Sequence, residues 1–154
     1  MATKADFTDE EWKALQTGIS ASGMLVAVSD AGFFDTFKEA SALAHHISAA
    51  HEKNNDALVR EIADIHHNPF GITSSPSEVE QGTVTSLQAA VAALQAKAPE
   101  SLEAYKALVL DVANSVAEAA SGVKPGESEA IGKITEALGG APAAPAAPSA
   151  PASS

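Results

Sequence analysis

Apolar side chains recur along most of this chain at the spacing of helical turns, and nowhere do they alternate long enough to predict a strand. Trp12, Leu15, Ile19, Leu25 and Val28 make the first such stripe, entered through Thr8 and Glu11 at the positions of a capping box. Phe7 and Trp12 stand where a hydrophobic staple closes a helix start. Gly18 and Gly23 interrupt this stripe and predict either a bend or close packing against a neighbour. Thr36 and Glu39 form a second capping box, which places residues 29–43 at a helix-to-helix corner with Phe37, Ala40, Ala44 and Ile47 facing inward.

A third helix is expected to start at Asn54 or Asn55, bury Leu58, Ile62 and Ile65, and end before Asn68 and Pro69. Ser75, Pro76 and Glu78 then combine a cap, a proline suited to the first helical turn and a capping-box glutamate, ahead of Leu87, Val91 and Leu94. Gly82 is a point where this segment could divide. Pro99 opens a helix with Leu102, Tyr105, Val109, Val112 and Val116 on one side and Gly122 as its left-handed cap. The last stripe, Ile131, Ile134 and Leu138, starts near Pro125 and stops at Gly139. The pattern predicts an all-α fold of roughly six or seven helices in a compact bundle.

Two segments repeat. "LVAVSDAG", a corner and "KEASALAHHI" are echoed by "SVAEAASG", a corner and "SEAIGKITEAL". Gly32 precedes Glu39 by the same interval as Gly122 precedes Glu129, which predicts two hairpins in pseudo-two-fold arrangement. Residues 1–6 are expected to be a flexible N-terminus and 7–139 the helical domain. Residues 140–154, rich in Ala and Pro and without charge, are expected to form a disordered tail.

Charge narrows the function. Nine Lys plus Arg face 20 Asp plus Glu, a formal net charge of -11, and the basic residues are scattered, so a nucleic-acid partner is not expected. The absence of cysteine removes disulfides and thiol chemistry and fits a cytoplasmic protein. No apolar run approaches the roughly 20 residues of a membrane span, so membrane insertion is not expected. No G-x-S-x-G elbow, HExxH pair or glycine-rich phosphate loop occurs, and a non-enzymatic role is expected.

The corner residues resemble the tellurite-resistance TerB-like family, an all-helical family whose paired hairpins carry a pattern close to "A-x-A-D-G-x-x-x-x-x-E". The first corner reads Ala27, Asp30 and Gly32 with Asp35 and Glu39 after them, and the second reads Ala117, Glu118 and Gly122 with Glu127 and Glu129 after them. Ala31 is inserted between Asp30 and Gly32, and Ser121 stands where the pattern favours Asp. The resemblance, over residues 10 to 139, implies an acidic surface that binds a divalent metal ion or recruits stress-response partners. Asp30, Asp35, Glu39, Glu118, Glu127 and Glu129 are the candidate metal residues it carries over. Helix-dipole stabilisation of first-turn carboxylates is the competing reading of Asp35 and Glu39.

Two further sets stand on the residues themselves. Phe33, Phe34 and Asp35 would make a partner-binding patch, an apolar anchor with a polar rim, if the rings are not both core. All five histidines lie between His45 and His67, so a metal site drawn from His45, His46, His66 and His67 is the alternative, although neither helix offers an i, i+4 pair. By helical phase His45 and His67 point away from their apolar stripes, whereas His46 and His66 flank them. The expected function is protein-partner binding through acidic helix corners; self-association stays open.

Overall fold

The computed structural model describes residues 2–29, 40–65, 75–119 and 125–139. Six α-helices occur among them: α1 (Asp9–Ser29), α2 (Ala40–Lys53), α3 (Ala57–Ala63), α4 (Pro76–Lys97), α5 (Leu102–Ala119) and α6 (Pro125–Ala137). Short 3-10 turns, Lys4–Asp6 and Pro99–Ser101, lead into α1 and α5, and no strand occurs among the described residues. The chain is all-α, as its periodicity predicts.

The helix starts obey their sequence signals. The Thr8 amide donates to the Glu11 carboxylate at 2.8 Å, the Glu11 amide donates back to the Thr8 hydroxyl at 3.1 Å, and the Phe7 and Trp12 rings meet 6.0 Å apart. Ser75 and Glu78 exchange the same pair of bonds at the head of α4. Within the segment expected to be flexible, the Thr3 amide donates to Asp6 at 2.8 Å and closes the first 3-10 turn.

Two boundaries differ from expectation, and the possible division at Gly82 does not occur. Asp56, not Asn54 or Asn55, caps α3 by accepting from the Val59 amide at 3.0 Å, because Asn54 is engaged elsewhere: its amide donates to the Ala104 carbonyl and its oxygen accepts from the Asp56 amide. Helix α3 stops at Ala63, short of Asn68, where the Gln16 side chain reaches over from α1 to donate to the Ile62 and Asp64 carbonyls. Helix α4 runs unbroken through Gly82, since its neighbour Thr83 is buried and donates to Val79 in the same helix and to Ala21 of α1.

Contacts with α1 set the directions of α4, α5 and α6. Glu11 pairs with Lys97 and Ala21 with Thr83, so α4 is antiparallel to α1. Tyr105, near the start of α5, donates to the Leu15 carbonyl at 2.7 Å, and α5 runs parallel to α1 from there. Helix α6 begins against Ser29 and turns back, placing Lys133 beside Glu80 of α4. Helix α2 ends where Asn54 meets Ala104, antiparallel to α5.

The core lies among α1, α4, α5 and α6. Leu15, Ile19, Leu87, Leu94, Tyr105, Leu108, Ile134 and Leu138 are among its fully or almost fully buried side chains. Gly18 is the close-packing glycine of α1, because a Cβ there would overlap the Tyr105 hydroxyl and press on Leu87. Gly139 closes α6 at φ +83, the left-handed conformation glycine adopts without strain. Among the described residues no helix is long and apolar enough to cross a membrane.

Candidate functional site

The topology brings the described flanks of the two repeated corners, Ser29 and Gly126, to one end. Helix α1 delivers the chain to Ser29, from which residues 30–39 lead to α2; α5 delivers it to Ala119, from which residues 120–124 lead to α6. The ends of these connections touch at a defined point: a Cβ on Gly126 would lie 2.7 Å from the Ser29 carbonyl oxygen. Only a residue without a side chain permits that approach without a shift of backbone. The partial negative charge of the α1 C-terminus thereby meets the partial positive charge of the α6 N-terminus. The Ser29 hydroxyl turns inward and donates to the Val26 carbonyl at 2.7 Å.

The carried-over carboxylates separate into different environments. Glu127, in the first turn of α6, is fully buried and cannot be a surface ligand in this conformation. Glu129 points out and pairs with Lys133 at 3.2 Å, one turn along α6. The hydrogen bond to Glu80, then that to Glu129, hold the Lys133 ammonium above its usual range. Glu118 is exposed in the last turn of α5, where the helix dipole disfavours an anion. Asp30, Asp35 and Glu39, with Phe33 and Phe34, lie outside the described residues, as do His66, His67 and the expected caps at Thr36 and Gly122.

His45 is exposed and His46 half-buried, as their helical phase predicts, with ring centroids 6.4 Å apart. Burial, then the neighbouring His45, lowers the His46 pKa below the usual histidine value. Adjacent positions on a helix diverge by roughly 100°, so the pair does not converge on one ion. Among the described residues no group of three His, Asp or Glu side chains could hold a metal ion.

Two features escaped the sequence reading. Glu127 was legible: it precedes Ala130, Ile134 and Leu138 on the inward stripe of α6, and phase alone places it inside. The Gly126 contact had no local signal, since a glycine after a proline at a helix start reads only as turn chemistry. No family model, curated protein or solved structure matches this chain.

Proposed function

We propose that this chain is a non-enzymatic, TerB-like helical domain of the cytoplasm that docks a protein partner on the end of the bundle where its two hairpin corners meet. The contact between Ser29 and Gly126 carries the reading, because it joins the helix ends that flank two corners far apart in sequence. Acidic residues cluster in the chain around both: Asp30, Asp35 and Glu39 follow the first helix, and Glu118 precedes the second corner.

Glu118 adds a second, energetic support. An anion in the last turn of a helix opposes the dipole, and a cation there would favour folding. A residue that breaks a local stability rule without a compensating contact is where function is to be sought. With a net charge of -11, the complementary partner surface is basic. The resemblance of the corners to the TerB-like family adds a stress-response setting and a metal-linked variant of the same docking.

Neutralising the corner end tests the reading. The protein carrying Asp30→Asn, Asp35→Asn and Glu118→Gln is compared with one carrying Glu10→Gln and Glu100→Gln, exposed positions near the opposite end. Loss of the co-purifying partner from the first but not the second is the expected result. Equal recovery from both would remove the corners from the interface.

A further inference from the structure

A groove of about 490 Å³ lies between the end of α2 and the first half of α5, near the end of the bundle opposite the hairpin corners. Its apolar lining is alanine, Ala50 from α2 with Ala104 and Ala107 from α5, so a ligand approaches the backbone without displacing a large side chain. The groove is open to solvent, so a ligand in it keeps part of its hydration.

The wall is fixed by bonds that use up the turn between α2 and α3. Asn54 spans to the Ala104 carbonyl at 3.0 Å, and Asp56 accepts from the Val59 amide at 3.0 Å and the Ser101 hydroxyl at 2.9 Å. The charges left to meet a ligand are Lys53 and Asp111, both exposed on the groove and neither ion-paired with any described residue, with the exposed Asn55 beside Lys53. Opposite charges thus share one groove without an ion pair between them.

We infer that this groove binds a small zwitterion, its carboxylate held by Lys53 and the Asn55 amide and its ammonium by Asp111. The alanine lining accommodates a short aliphatic body between the two charged ends. Free amino acids and short peptides share this chemistry. The site is independent of the corner end and of the partner proposed to dock there.

Amide chemical shifts of the full chain are followed during titration with three probes: L-alanine, trialanine, and trialanine acetylated and amidated so that both charges are removed. The expected result is saturable shifts at Ala50, Asn55, Ala104, Ala107 and Asp111 with a zwitterionic probe, and none with the capped one. Saturation by L-alanine assigns the site to free amino acids, and saturation by trialanine alone assigns it to peptides. Lys53→Ala and Asp111→Ala, both exposed positions, each weaken that binding by about three- to tenfold. Absence of saturable shifts with either zwitterion, equal binding of the capped probe, or unchanged affinity in both variants overturns the inference.

Discussion

The Ser29 carbonyl oxygen sits so close to the Gly126 backbone that a Cβ there would stand 2.7 Å away, and this one approach joins the ends of two helical hairpins. Both partners are backbone, so neither can swing aside as a long side chain would. Gly126→Ala should therefore destabilise the fold by about 1–3 kcal/mol, the range for overpacking a close contact. Gly132, exposed in the same helix, has nothing within 4 Å of its Cβ position, and Gly132→Ala should instead stabilise by about 0.5–1 kcal/mol through helix propensity. Urea unfolding of the two variants checks the pair; equal effects would contradict the packing at Ser29.

A coupled pair tests the core. Gly18 makes room for the Tyr105 hydroxyl, which donates to the Leu15 carbonyl at 2.7 Å. Tyr105→Phe should cost about 1–2 kcal/mol for the lost buried bond. Gly18→Ala should cost more alone than in the Tyr105→Phe background, where the hydroxyl it strikes is gone, and a double-mutant cycle reads the difference. Additive costs would mean that the two residues do not meet.

How far this architecture was legible in the sequence follows from such pairs. The capping boxes at Thr8 and Ser75, the staple and the stripes on α1, α4, α5 and α6 are local codes, so their helices could be read without knowing the fold. Asp56 outcompeted Asn54 as a cap because Asn54 is drawn to Ala104, fifty positions away, and no local pattern records that. The same holds for Gln16 ending α3 and for Thr83 tying α4 to α1. At the candidate site, composition marked the corners, but the burial of Glu127 and the pairing of Glu129 with Lys133 depend on where α6 lies.

The single tyrosine gives a pH test. Burial pushes the Tyr105 phenol far above its usual range. A folded pKa above the unfolded one contributes stability that is present below about pH 10 and lost as pH rises beyond it. Phenolate absorbance should therefore appear only with alkaline unfolding, in step with loss of helical circular dichroism. Ionisation at an ordinary tyrosine pH in a folded chain would show the ring to be exposed.

Acid acts on the caps. The Lys97 hydrogen bond, and then the Thr8 amide, lower the pKa of Glu11; the Ser75 amide does the same for Glu78. Depressed folded values mean stability that is present above the ordinary glutamate value and lost as pH falls from there through the lower folded values. In an NMR titration both carboxylates should protonate below the ordinary glutamate range, and Glu11→Gln should flatten the acid limb of the stability curve. Exposed pairs are screened by salt, so the Lys97 contribution should shrink at high ionic strength.

Glu118 should separate stability from function. Removing an anion from the last turn of α5 relieves its opposition to the helix dipole, so Glu118→Gln should raise Tm slightly or leave it unchanged while weakening partner docking. A fall in Tm, measured by calorimetry, would place Glu118 among the structural residues and remove it from the proposed surface.

The most direct measurement is photo-crosslinking in the source cells from two exposed positions near opposite ends of the bundle, Glu118 and Glu100, each replaced in turn by a photoreactive residue. The account predicts a discrete adduct from position 118 that disappears when Asp30 and Asp35 are also neutralised, with no matching adduct from position 100. Adducts of equal yield from both positions, or an adduct from position 100 alone, would contradict a docking surface at the end of the bundle where Ser29 meets Gly126.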